Sequence, residues 1–170
     1  MRESADAERI ERLARELGRA VPSGTKMYLT GGATAVLEGW RPSTVDVDVR
    51  FEPDSDAVLR AIAELKERLQ VNIELASPLD FLPPLGGWRE RSRFRFRATN
   101  LEVFDFDPYS QALSKLERGF ELDLRDVAEM VRAGQVDPVR LLELYEEIEP
   151  DLFRFPAVDP AQLRRAVETL

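Results

Sequence analysis

Apolar positions along the chain follow two periods, and the places where the period changes mark out its elements. Val45, Val47, Val49 and Phe51 alternate with Asp46, Asp48 and Arg50, which predicts a strand with one apolar and one charged face. Upstream, Lys26 to Thr30 read as a strand that runs into Gly31-Gly32, Ala33 to Gly39 as a short helix, and Trp40 to Ser43 as a loop. Val71 to Leu75 again alternate, with Val71, Ile73 and Leu75 expected in the core and Asn72 and Glu74 facing away from it. Arg93, Arg95 and Arg97 are expected on one face of a further strand, Phe94 and Phe96 on the other, with residues 100–107 as its hairpin partner.

Helical spacing fills the rest. Ile10, Leu13 and Leu17 form one stripe, and Val58, Ile62, Leu65 and Leu69 another behind an N-cap in residues 52–56. Residues 109–119 and 122–131 read as helices, and Asp137-Pro and Asp159-Pro each open one more. The last two have inward stripes Leu141, Tyr145, Ile148 and Leu163, Val167, Leu170. The pattern predicts an α/β (α+β) fold: a small mixed β-sheet flanked by helices, with a C-terminal helical extension. Residues 1–107 would form the core and 108–170 a helical region packed on it, jointed near Asp107.

The strand of residues 45–51 carries the candidate chemistry. At about 3.3 Å of rise per residue, the Cβ atoms of Asp46 and Asp48 lie roughly 6.6 Å apart on one face, so both can converge on one metal or straddle two. A Gly-Gly turn at a helix start leaves backbone N–H groups open to a phosphate, with no Cβ in the way. If the strand of Glu74 lies beside that of Asp46 and Asp48, Glu74 is the best candidate for a third carboxylate, since an unpartnered charge on a core strand is costly; the alternative is an ordinary exposed strand residue. Arg41 is a candidate phosphate contact or a solvated loop residue.

Composition narrows the chemistry further. The 170 residues contain no His and no Cys, which excludes zinc fingers, disulfide scaffolds, Ser-His-Asp triads and Cys-His nucleophiles. A metal would be held by carboxylates, favouring Mg²⁺ or Mn²⁺. With 32 acidic and 24 basic residues the net charge is −8, which argues against indiscriminate wrapping of nucleic acid. No stretch approaches a membrane span, the N-terminus is too polar for a signal peptide, and a cytoplasmic protein is expected.

Other candidates compete with these. Asp105 and Asp107 form a second Asp-x-Asp, although Asp107 before Pro108 favours an N-cap. Ser77 and Asp80 are site candidates or turn caps. The ladder of Arg93, Arg95 and Arg97 suits phosphates, or else keeps an edge strand soluble beside neighbouring acids. An aspartate-nucleophile phosphatase would need a longer apolar strand before Asp46 and leaves the Gly pair unexplained. The dinucleotide-binding and P-loop glycine motifs are absent.

Gly31-Gly32 followed by Asp46-Val-Asp48 resembles the nucleotidyltransferase superfamily of the DNA polymerase β type. More narrowly it is similar to small bacterial DUF6036 and AbiEii-like proteins, over roughly residues 28–131. Two later segments carry the same resemblance: Ala76 to Pro83, and the pattern Lys115, Arg118, Asp123, Asp126. The superfamily often has Ser or Thr directly after the Gly pair; here Ala33 stands there and Thr34 follows. The resemblance implies a metal-dependent transfer of an NMP from an NTP to an acceptor hydroxyl, with Asp46, Asp48 and Glu74 as metal ligands. It further implies Gly31, Gly32, Thr34, Arg41, Lys115 and Arg118 as phosphate contacts, with Asp123 and Asp126 organising Lys115 and Arg118 or the acceptor. AbiEii-like proteins act as toxins of toxin–antitoxin pairs and some relatives modify tRNA, which suggests an RNA, tRNA or protein acceptor and a cognate antitoxin as partner. The alternative is a non-catalytic nucleotide-binding or partner-binding protein on the same fold.

Overall fold

The structure, a computed structural model, describes residues 4–170. The first three residues of the N-terminal stretch lie outside them. The described chain runs α1 (Ala7–Ala20), β1 (Thr25–Thr30), α2 (Gly31–Leu37), β2 (Asp46–Glu52), α3 (Asp56–Leu69), β3 (Asn72–Leu75) and a 3₁₀ turn (Pro78–Asp80). It continues with α4 (Trp88–Arg91), β4 (Arg93–Ala98), β5 (Leu101–Asp105), α5 (Pro108–Arg118), α6 (Glu121–Arg132), α7 (Pro138–Ile148), a 3₁₀ segment (Glu149–Arg154) and α8 (Pro160–Glu168). Among the described residues no helix is long and apolar enough to cross a membrane.

Two compact units share the chain. One takes the chain up to Ser77 together with Arg93–Asp105; the other takes Pro78–Ser92 and Phe106–Leu170. The expected mixed α+β architecture is present in the first. Its five-stranded sheet has the order β3-β2-β1-β5-β4, with β1·β5 and β2·β3 parallel and β1·β2 and β4·β5 antiparallel.

One face of this sheet is the core. Val47, Val49 and Phe51 of β2 join Met27 and Leu29 of β1 and Leu101 and Val103 of β5 beneath Ile10, Leu13 and Leu17 of α1 and Ile62 and Leu65 of α3. Each such side chain contributes about 1.5–3 kcal/mol by leaving water. The Asp6 carboxylate caps α1 by accepting from Arg9 N, and the Ser55 hydroxyl caps α3 by accepting from Val58 N.

Three expectations for the strands fail, each at an edge. Val45 is 71% exposed, because β2 begins only at Asp46 and neighbouring Thr44 pairs with Ala5 away from the sheet. Leu75 is 53% exposed, at the end of a four-residue edge strand. The arginine ladder is broken as well. Phe94 pairs with Phe104 and Phe96 with Val103, so Arg95 is the extra residue of a β-bulge and the alternation slips by one. Phe94 therefore meets Phe104 edge-on at 5.6 Å between ring centroids, while Phe96 packs against the core on the other face.

The second unit is helical and centred on α5. The three Asp-Pro starts cap as their sequence implies. Asp107 accepts from Tyr109 N at 3.1 Å, Asp137 from Arg140 N at 2.8 Å, and Asp159 from Ala161 N and Gln162 N at 3.0 and 3.1 Å. Leu141, Tyr145, Ile148, Leu163 and Val167 are buried as expected, whereas Leu170, past the end of α8, is exposed. Residues 78–92 lock onto the helices through Trp88, stacked on Phe106 at 4.6 Å, and through Arg91. Arg91 donates from Nε and Nη2 to the two oxygens of buried Asp107 at 3.0 and 2.8 Å.

Candidate active site

The face of the sheet opposite the core is polar around β2. Alternation puts Asp46, Asp48 and Arg50 on it, and the registers add their neighbours: Thr30 of β1 and Glu74 of β3 stand either side of Asp48, and Asn72 of β3 stands beside Asp46. All three predicted carboxylates thus share one face of two adjacent parallel strands. Asn72 was not anticipated as a site residue. Its amide donates from Nδ2 both to Asp46 Oδ1 and, at 3.2 Å, to Glu74 Oε1. The signal was its position two residues before Glu74, on the same face.

The glycine turn meets this face at Asp48. Gly31 has φ +61°, a left-handed conformation that side chains oppose, and a Cβ there would lie 2.8 Å from Asp48 Oδ2. A Cβ on Gly32 would lie 2.3 Å from Thr44 Oγ1 and 3.5 Å from a terminal nitrogen of Arg41. Both glycines are bare because other groups fill the space: the Asp48 carboxylate, the Thr44 hydroxyl and the Arg41 guanidinium. Thr44, also unanticipated, donates from Oγ1 to the Asp46 carbonyl at 3.0 Å, at the start of β2.

Other predicted residues are held elsewhere. Thr34 is buried and donates its hydroxyl inward to the Leu29 carbonyl at 3.3 Å. Ser77 is buried, and Asp80 closes the 3₁₀ turn at the rim of a cleft with Phe81, Glu117 and Phe155. Asp105 does not compete with Asp46 and Asp48: it is in register with Leu29, on the core side, and its carboxylate binds Arg95 Nε at 2.7 and 2.8 Å. Burial pushes the Asp105 carboxyl above its usual range, with Arg95 offsetting part of the shift. Burial alone would lower the Arg95 pKa, but hydrogen bonds and the charges of Asp105 and Glu38 raise it. Arg93 lies 3.8 Å from Glu38, and Arg97 pairs with Glu102 at 2.5 Å. The three arginines are balanced by acids, as an edge strand requires.

In the second unit, the Lys115, Arg118, Asp123, Asp126 pattern forms one ion-pair cluster between α5 and α6. Lys115 Nζ sits 2.6 Å from Asp126 and 3.6 Å from Asp123, and Arg118 donates to Asp123 at 2.6 Å. Lys115, Asp123 and Asp126 are all buried, so they are not a solvated helix face.

Among the described residues no three Asp or Glu side chains converge on a single point. The Asn72 amide draws Asp46 and Glu74 together while Asp48 lies against Gly31. The donor set is all oxygen and matches a hard divalent ion of the Mg²⁺ type, which takes one or two protein carboxylates and completes its shell from substrate phosphates and water.

Comparison with curated proteins and with solved structures finds no match. A family model does match, over residues 8–154, which takes in the whole of the sheet, the carboxylate face and the Lys115 cluster. On that match the chain belongs to DUF6036, a family described as nucleotidyltransferase of unknown function.

Proposed function

We propose that the protein transfers an NMP from an NTP to an acceptor hydroxyl. The observation that carries this is the placement of Asp46, Asp48 and Glu74 on one face of adjacent strands, with Asp48 against the Gly31 turn, in a chain of this family. Asp46 and Asp48 would hold Mg²⁺ or Mn²⁺ together with phosphate oxygens of the nucleotide. Such an ion, when bound, offsets negative charge on the triphosphate.

The chain's own groups account for the rest. The backbone N–H groups of Gly31 and Gly32 would receive the phosphates, and Arg41, whose guanidinium lies beside Gly32, would add positive charge. The acceptor oxygen attacks the α-phosphorus in line: a P–O bond to the acceptor forms, the bond to the bridging oxygen breaks, and pyrophosphate leaves. Glu74 takes the acceptor's proton.

RNA or tRNA is the acceptor we favour, with a role as toxin beside a cognate antitoxin as the corresponding biology. Net charge does not oppose it in the unit that holds the carboxylate face. Of 32 acidic and 24 basic residues, 16 and 10 fall in the second unit, leaving 16 and 14 in the first, a balance of only −2.

The test is incubation with each α-³²P-labelled NTP, Mg²⁺ or Mn²⁺ and total bacterial RNA, beside an Asp46→Ala, Asp48→Ala double variant. Label entering RNA with the wild type alone supports the reading and names the base. Label on a protein band identifies a protein acceptor. Absence of label in every lane, with metal-dependent nucleotide binding retained, turns the reading to a binding protein on the same fold.

A further inference from the structure

The geometry points to Asn72 as the positioning residue of the carboxylate site. This rests on the reading of Asp46, Asp48 and Glu74 as the metal-facing group and assigns a role to a neutral side chain among them. Asp48 and Glu74 stand directly opposite one another on parallel strands, and Asp46 lies two residues from Asp48 on the same face. Three like charges so close repel one another, and each side chain has alternative rotamers that relieve the repulsion. The Asn72 side chain opposes this for two of them. The Asn72 amide nitrogen carries two hydrogens; one goes to Asp46 across the strand pair and the other to Glu74 along its own strand.

The match of two donors to two carboxylates has a directional consequence. Asn72 sits beside Asp46 in register, so its bond to Glu74 turns that carboxylate toward Asp46. Asp48 is left to the Gly31 turn. Asn72 therefore sets the orientation of two acids before any ion or nucleotide arrives, as outer hydrogen bonds do for ligands of a metal. Asp cannot replace it, since a carboxylate has no hydrogen to donate at neutral pH.

Mn²⁺ binding by titration calorimetry, with thermal denaturation in parallel, tests this on wild type, Asn72→Ala, Asn72→Asp and Asp48→Ala. Asn72 is partly exposed at the start of an edge strand, so its variants keep the fold, and Asn72→Asp also keeps the shape. The expected result is about 10–100-fold weaker Mn²⁺ binding for Asn72→Ala, with no recovery in Asn72→Asp. Wild-type affinity in Asn72→Ala, or tighter binding in Asn72→Asp, would show that the site needs only negative charge and would overturn the role of Asn72. If Asp48→Ala binds Mn²⁺ as wild type does, the metal-site reading fails, and the proposal with it. Loss in Asp48→Ala beside wild-type affinity in Asn72→Ala overturns the Asn72 proposal alone.

Discussion

Gly31 and Asp48 occupy space that cannot be shared with a methyl group: a Cβ on Gly31 would stand 2.8 Å from Asp48 Oδ2. The turn at the end of β1 and the carboxylate in the middle of β2 are thus one device. Gly31→Ala faces both this clash and a φ of +61°, which costs about 1–2 kcal/mol for a residue with a side chain. The Asp48 carboxylate must move, and a displacement of about 1 Å at a reacting centre costs on the order of 10²-fold in rate. Gly31→Ala should therefore lose the proposed nucleotidyl transfer by at least that factor while the folded state survives, as seen by circular dichroism. Retained activity in a folded Gly31→Ala protein would remove Asp48 from the site.

Lys115 illustrates a different kind of dependence. It is 2% exposed and lies between two buried carboxylates, Asp126 at 2.6 Å and Asp123 at 3.6 Å. Removing one member of a buried ion pair leaves uncompensated charge, which costs about 3–5 kcal/mol, whereas replacing the pair by apolar groups of similar size costs far less. Urea denaturation should show Lys115→Met as strongly destabilised and a Lys115→Met, Asp126→Leu double variant as substantially restored. An equal loss in both would mean that packing, rather than charge balance, dominates there.

Asp107 serves two masters, and substitutions can separate them. Its oxygens accept from the guanidinium of Arg91 and from Tyr109 N at the start of α5. Asp107→Asn can still cap but loses the charge, and about 1–2 kcal/mol of stability is expected to go with it. Asp107→Ala forfeits the cap as well, worth about 1 kcal/mol more. The ordering Ala worse than Asn worse than wild type, read from denaturant midpoints at constant slope, checks this.

Tyr145 supplies a prediction in pH. Burial, then the Glu149 carboxylate, push its phenol up to about 12 from 10.0, and its hydroxyl donates to the Pro160 carbonyl at 2.9 Å. A folded-state pKa above the unfolded one means that the unfolded chain loses its proton first. The stability contributed by the neutral phenol is complete below pH 10 and disappears as pH rises through about 12. Absorbance at 295 nm should show one of the three tyrosines ionising near pH 12, and Tyr145→Phe should abolish that step.

Much of this protein is legible without coordinates, for local reasons. Alternation on β2 puts Asp46 and Asp48 on one face whatever lies next to the strand, because side chains of any strand alternate. The three Asp-Pro caps follow from the fixed φ of proline and the short reach of aspartate. The Gly31-Gly32 turn is marked by its composition. Failures cluster where local pattern meets a boundary: Val45 and Leu75 obey period two but sit where the sheet has run out, and the bulge at Arg95 shifts a ladder whose sequence alternates without a break.

What the sequence alone determined was therefore the set of elements, the shared face of the two aspartates and the family pattern in the helical segment. Tertiary structure decided the partners. Strand order put Glu74 rather than Asp105 beside Asp48, register gave Asn72 its two carboxylates, and packing of α5 on α6 turned four charged residues into a largely buried cluster. Periodicity fixes the direction of a side chain relative to its own backbone. Only pairing between distant segments fixes what stands opposite, and that is a property of non-local contacts.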